Sequence, residues 1–223
     1  MKAAALLALP LATYAAASGE SAGIPRVALH QLCVTEGSLG TGATGRFTID
    51  APKVRATLRS GTGDGATLRF TYLGPTVQQS ALGSGEQREQ IGLKLRAQDS
   101  CNVIYAMWRI QPEARLVVQV KRNVGLRTSA ACGNSGYSTV KPEHALAAPV
   151  IAPGGSHELA AQISGDLLTV SADGTPVWSA HLGPDAAVLR GPAGFRTDNG
   201  RFELELQSAT AGPAAECAAG RER

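Results

Sequence analysis

Residues 157–178 alternate apolar and polar side chains with a period of two, and this pattern constrains the fold more than any other feature. A first apolar triplet, at Leu159, Ala161 and Ile163, ends at a Gly-Asp turn, and a second triplet ends at an Asp-Gly turn before Trp178. Successive side chains of a strand point to opposite faces, so this period indicates strands with one buried face. Because Asp-Gly and Gly-Asp favour tight hairpins, the stretch predicts a meander of antiparallel strands.

A second motif, Gly-Phe-Arg-Thr-Asp-Asn at 194–199, separates this meander from a last alternating run at 201–206. The hairpin with Val177 and Trp178, followed by this motif, resembles the final strands of concanavalin A-like (laminin G-like) β-sandwiches. The resemblance implies an all-β, two-sheet antiparallel jelly-roll sandwich, which we expect as a single domain over residues 29–208. Such sandwiches include lectins, glycan-binding modules, glycosidases and adhesion domains, so the fold alone assigns no function.

The N-terminus predicts export. Lys2 precedes an apolar run over residues 3–17 that ends in three alanines before Ser18. This order of basic, apolar and small residues is typical of a secretory signal peptide, here residues 1–17, and the run is too short for a membrane span. We therefore expect a periplasmic or extracellular protein with no integral membrane segment in the mature chain. Residues 18–28 read as an exposed leader, and residues 209–223 as a C-terminal tail.

The chain has four cysteines and no Cys-x-x-Cys pair. An even count in an exported chain favours two disulfides over zinc ligation, and three pairings are possible. We favour Cys101 with Cys132, which closes an excursion of the middle strands, and Cys33 with Cys217, which ties the two ends. The resemblance supports the second pairing, because the terminal strands of these sandwiches usually lie side by side.

Charge is unevenly distributed, although the formal net charge is only +3. Residues 46–127 contain thirteen Lys and Arg against six Asp and Glu, whereas residues 128–223 contain six against ten. A basic segment of this kind indicates an anionic partner. Export and the lack of any nucleic-acid-binding motif argue against nucleic acid as that partner.

Strand parity places part of this basic segment on one face. If three consecutive strands of the middle region are neighbours, their non-core side chains form a single patch. The patch consists of Lys94, Arg96, Tyr105, Arg109, Gln119 and Lys121. In proteins of the concanavalin A-like fold, the concave sheet commonly carries the glycan-binding site. We therefore expect the cations to bind an anionic polysaccharide and Tyr105 to stack on a sugar ring. The alternative is an ordinary solvated sheet face, on which long charged side chains are common.

Motifs for catalysis are missing from the sequence. Retaining glycosidases of this fold typically carry Glu-x-Asp-x-x-Glu on one strand, and that spacing does not occur. There is no nucleophile elbow, calcium loop, paired-histidine motif or cofactor fingerprint, so we assign no catalytic residue, metal or cofactor. The sequence thus favours a non-catalytic binding module. A glycan-active hydrolase or lyase whose acids meet only in three dimensions, or a purely structural surface domain, remain alternatives.

Overall fold

The computed structural model describes residues 26–208 and Cys217. The predicted signal peptide lies outside these residues, as do most of the predicted leader and the C-terminal tail. Within the described part of the chain, no helix is both long and apolar enough to cross a membrane.

Strands account for nearly half of the described chain. In chain order they are β1 (Leu32–Glu36), β2 (Gly40–Thr41), β3 (Phe47–Ile49), β4 (Lys53–Leu58), β5 (Gly65–Pro75), β6 (Glu89–Leu95), β7 (Val103–Gln111), β8 (Arg115–Lys121), β9 (Tyr137–Thr139), β10 (His144–Ala145), β11 (Ser156–Ser164), β12 (Leu167–Ala172), β13 (Thr175–His181), β14 (Gly194–Asp198) and β15 (Gly200–Gln207). The helices are one 3₁₀ turn (Leu29–Gln31) and two single turns, α1 (Ser129–Cys132) and α2 (Pro184–Ala187).

The strands form two antiparallel sheets. One has seven strands in the order β1-β4-β14-β6-β7-β8-β9, and the other has eight in the order β10-β13-β12-β11-β5-β15-β3-β2. The meander predicted from residues 157–178 is β11-β12-β13, and its Asp173-Gly174 turn has positive φ at both residues, as a two-residue type I′ hairpin requires. The fold is therefore the predicted all-β sandwich.

Alternation along each strand divides the side chains between the core and the outer faces. On β7, Ile104, Ala106 and Trp108 point into the space between the sheets and are fully buried. Tyr105 and Met107 point the other way, into a separate small cluster on the outer face of the seven-stranded sheet. The period-two pattern thus predicts correctly which residues fill the core and which face outward.

Two disulfides join the pairs that the sequence favoured. Cys33 on β1 bonds to Cys217, with Cα atoms 5.5 Å apart, and Cys101 bonds to Cys132 in α1, with Cα atoms 5.9 Å apart. No described cysteine is free. Two disulfides are consistent with an exported protein, because thiols are kept reduced in the cytosol.

The last residues of the predicted leader already contact the sandwich. Val27 is buried, and its backbone N–H donates to the carbonyl of Leu206 on β15. Beside it, Arg26 forms an ion pair with Glu205 at 2.6 Å. These contacts place the N-terminal end of the described chain against the last strand.

Candidate functional site

A groove of about 1170 Å³ lies on the outer face of the seven-stranded sheet. Outward-facing side chains of five neighbouring strands, β4, β14, β6, β7 and β8, line it. Those side chains are Arg55, Arg196, Lys94, Tyr105, Met107, Gln119 and Lys121. Two segments between strands, residues 82–88 and 127–134, also line the groove. They form walls around a sheet face that would otherwise be open to water.

A buried carboxylate organises the cations of the floor. Asp198 at the end of β14 is fully buried and accepts from Arg55 at 2.9 Å, from Arg196 at 2.7 Å and from Gln90 at 2.6 Å. Burial by itself would raise the pKa of Asp198, but the charges of Arg196 and Arg55 outweigh it and hold the pKa at about 2. Register explains the arrangement, since Arg196 lies directly opposite Arg55 on the adjacent strand.

Asn199, the next residue, shapes one wall of the groove. It adopts a left-handed conformation with φ of 57°, which asparagine tolerates well, and turns the chain from β14 into β15. Its side-chain oxygen accepts from the backbone N–H of Ser80 at 2.8 Å, and its amide nitrogen donates to the carbonyls of Ser80 and Arg88, both at 3.0 Å. Asp198 therefore holds the arginines of the groove floor in place, and Asn199 holds the loop that forms one wall of the groove.

Lys94 lies beside this charge cluster without a carboxylate of its own. Its side chain is only 3% exposed, and no residue of the described chain forms a hydrogen bond or ion pair with its ammonium group. Burial, reinforced by the positive charges of Arg55 and Arg196, lowers the pKa of Lys94 to about 7. A buried cation in this state is poorly solvated and is drawn to any anion that reaches it.

Two tyrosines form the apolar part of the groove. Tyr105 is almost fully buried, and its ring stacks against that of Tyr137 with centroids 6.1 Å apart and an angle of 24° between the planes. The guanidinium of Arg196 lies 5.3 Å from the Tyr105 ring. Burial raises the pKa of Tyr105 to about 12, so its phenol stays neutral. Tyr137, on the edge strand β9, is the more accessible ring.

Lys121 and Gln119 brace the other end of the groove. The ammonium of Lys121 donates to the carbonyls of Ser100 at 3.2 Å and Gly133 at 2.9 Å, and lies 5.1 Å from the centre of the Tyr137 ring. These bonds tie β8 to the two segments that the Cys101–Cys132 disulfide joins. Gln119 is half-buried and donates to the hydroxyl of Thr139 at 3.2 Å.

Arg96 and Arg109 do not line this groove. At Arg96 the backbone has a φ of 43°, so alternation ends at Leu95, and the guanidinium pairs instead with Asp64 at 2.6 Å. Arg109 shares the outward parity of Tyr105 but lies four residues further along β7, at the end of the strand, where it lines a second cavity. Of the predicted patch, the structure thus brings together Lys94, Tyr105, Gln119 and Lys121.

Sequence reasoning missed three residues that line the groove, Arg55, Tyr137 and Arg196. It also missed Asp198, the buried carboxylate that binds both arginines. Parity did place Arg55 outward, and the spacing of Arg196 and Asp198 puts both on one strand face. The pairing of β14 between β4 and β6 brings these residues to Lys94, and that pairing joins segments more than a hundred residues apart. No signal in a single sequence specifies it, because register between distant strands depends on the whole fold.

No known protein-family model and no curated protein matches this sequence. Solved structures do share its fold. The carbohydrate-binding module CBM66 from Bacillus subtilis superposes with a TM-score of 0.54 at 15% identity, covering 80% of this chain and 96% of that chain. The carbohydrate recognition domain of Emp46p, in a mutant form, superposes with a TM-score of 0.49 at 13% identity, covering 82% and 90% of the two chains. At 15% identity, the likeness to CBM66 concerns the fold alone.

Proposed function

We propose that this protein is an exported carbohydrate-binding module whose groove takes a segment of an acidic polysaccharide. The observation that carries the proposal is the buried Lys94 ammonium at the groove floor, which has no hydrogen-bond partner in the described chain. A uronate carboxylate or a sulfate would supply that partner through a charge-assisted hydrogen bond. CBM66 has the same sandwich fold and is itself a carbohydrate-binding module, which supports a carbohydrate as the ligand; the acidic character rests on Lys94.

The size and composition of the groove suit several linked sugars. Its volume of about 1170 Å³ exceeds the range of roughly 300–1,000 Å³ that is usual for small-molecule pockets. Tyr137 offers a partly exposed ring on which a pyranose can stack, with Tyr105 packed behind it. Gln119 lies where its amide can reach sugar hydroxyls, and Lys121 supports the Tyr137 ring.

Binding, rather than cleavage, fits the state of the carboxylates in the groove. Among the described lining residues, Glu36 pairs with Arg55 at 3.2 Å and Glu86 pairs with Arg88. Asp99 accepts from the backbone N–H of Cys101 at 2.8 Å and from the amide of Asn102 at 2.9 Å. Carboxylates engaged in this way brace the groove walls, whereas a glycosidase needs one acid free to protonate the leaving group.

Export belongs to the same proposal. Cleavage of the predicted signal peptide before Ser18 would release the mature chain into the periplasm or the extracellular medium. Both disulfides form readily in those compartments, and polysaccharides of cell envelopes and extracellular matrices are accessible there.

A glycan array with three proteins tests the proposal. We expect the wild-type protein to bind uronate-rich or sulfated chains and to prefer them over neutral chains. Lys94→Met should weaken binding about tenfold or more, because it removes a charged hydrogen-bond donor without changing side-chain size much. Lys141→Met removes an exposed lysine outside the groove and serves as the matched control. Equal binding of neutral chains, or full binding by Lys94→Met, would overturn the proposal.

A further inference from the structure

Arg109 is a buried cation without a counterion in the described chain. Its side chain lies at the end of β7, the residue is 8% exposed, and its Nε atom is fully buried with no hydrogen-bond partner. Glu86 and Glu113 attract the guanidinium, but the larger effects come from two further arginines, Arg88 and Arg115, which repel it. Each of these has its own carboxylate, Glu86 and Glu113 respectively, and Arg109 has none. Leaving a buried guanidinium unpaired next to like charges is costly, so the arrangement indicates a binding role.

The guanidinium remains a cation under ordinary conditions. Burial, with the positive charges of Arg88 and Arg115, lowers the pKa of Arg109 to about 10. At neutral pH the side chain is therefore still protonated and can donate to an anion. The lowered pKa therefore does not make Arg109 neutral at physiological pH.

A cavity of about 380 Å³ lies against Arg109 and Arg115. It borders β8 where the chain between β9 and β10 passes from one sheet to the other. Apart from the two arginines and Thr139, the lining is apolar, with Leu116, Val118 and Trp178 among its residues. Leu146, which directly follows β10, also lines the cavity and is 64% exposed. The cavity is thus apolar along its walls and cationic at one end.

We propose that this cavity is a second ligand site, separate from the groove, that takes a small organic acid whose carboxylate meets Arg109 and whose apolar body packs against Leu116, Leu146 and Trp178. Its volume falls in the range of roughly 300–1,000 Å³ that is usual for small-molecule sites, and is too small for a polysaccharide segment. A sugar would leave its hydroxyls unpaired against the apolar wall. A carboxylic acid with an aliphatic or aromatic body would pair with Arg109 and also pack against the apolar wall.

Octanoate is a suitable probe. 1-Octanol has the same alkyl chain without the carboxylate, and acetate has the carboxylate without the long alkyl chain. Titration calorimetry on the intact protein should show octanoate binding, about tenfold or more tighter than either comparison compound, because each lacks one of the two contacts. Arg109→Met should abolish this preference for octanoate over 1-octanol. Leu146→Asp, which places a carboxylate in the exposed part of the wall, should weaken octanoate binding by a similar factor while leaving Arg109 intact.

The groove provides an independent control. Lys94→Met should leave octanoate binding unchanged, and Arg109→Met should leave binding of acidic glycans unchanged, so failure of one site is distinguishable from failure of the other. Thermal unfolding of each variant checks that it is folded, and octanoate should raise the melting temperature of the wild-type protein but not of Arg109→Met. Absence of octanoate binding at millimolar concentration, equal binding of 1-octanol, or unchanged binding by Arg109→Met would each overturn the proposal.

Discussion

At the scale of single residues, the groove contains a side chain that works against folding. Lys94 is buried among Arg55, Arg196 and Tyr105, and its pKa of about 7 lies well below its ordinary value of 10.5. In the unfolded chain the ammonium is hydrated and stays protonated up to that ordinary value. Protonation therefore favours the unfolded state below about pH 7, and this penalty diminishes as the pH rises from about 7 toward 10.5.

Replacing this residue should stabilise the protein. We expect Lys94→Met to raise the free energy of unfolding by about 2 kcal/mol or more at neutral pH, since a similar apolar volume replaces a desolvated charge. Urea unfolding between about pH 6 and pH 10 measures the effect. The difference between variant and wild type should shrink as the pH rises from about 7 toward 10.5, because loss of the proton from the folded-state lysine then costs less free energy. A variant less stable than wild type at neutral pH would contradict the destabilising effect of the buried Lys94 charge.

Residue types and parity alone did not identify the whole floor of the groove. Alternation correctly sent Lys94, Tyr105, Gln119 and Lys121 to one face, because the two-residue repeat is a local property of the strand. It could not foresee that Arg96 leaves the face, since the positive φ at that residue depends on the turn that follows β6. Burial of Lys94 also depends on the distant segments that form the groove walls, and the alternation pattern of a single strand carries no information about them.

At the scale of elements, β14 holds the site together. It lies between β4 and β6 in the seven-stranded sheet, carries Arg196 and Asp198, and ends at Asn199, which anchors the wall loop. The motif that supported the resemblance in sequence is thus the strand that organises the groove. The same six residues, 194–199, support recognition of the fold and organise the groove, although only the first role could be predicted from sequence.

Packing along β14 leaves no space for an added methyl group at its first residue. A Cβ on Gly194 would lie 2.7 Å from the Cα of Thr57 and would overlap the carbonyl oxygen of Ala56 on β4. We expect Gly194→Ala to lower the free energy of unfolding by about 2 kcal/mol, measured by urea unfolding. Gly183→Ala is the matched control, because nothing lies within 4 Å of its added Cβ. Equal stability of the two variants would show that β4 and β14 are not packed as described.

At the scale of the whole molecule, the sandwich was predictable from sequence and the location of its charge was not. Apolar alternation and the Asp173-Gly174 hairpin are local signals, and they predicted the antiparallel meander and its buried face. The two-sheet fold was implied by the resemblance to concanavalin A-like sandwiches. The basic segment over residues 46–127 was visible in composition. The fold nevertheless places some of its members in the groove, Arg96 in a partly buried ion pair with Asp64, and Arg109 at a second cavity. Three-dimensional pairing decides that division.

The central claim is that the groove binds an acidic glycan through Lys94, and calorimetric titration at two pH values tests it most directly. No histidine is among the described groove residues, and the pKa of Lys94 is about 7, so we expect Lys94 to titrate near neutral pH. A uronate oligosaccharide should bind roughly tenfold more tightly at about pH 6 than at about pH 8.5, and Lys94→Met should bind weakly at both. Affinity independent of pH in the wild type, or a neutral oligosaccharide of equal length binding as tightly, would contradict the account.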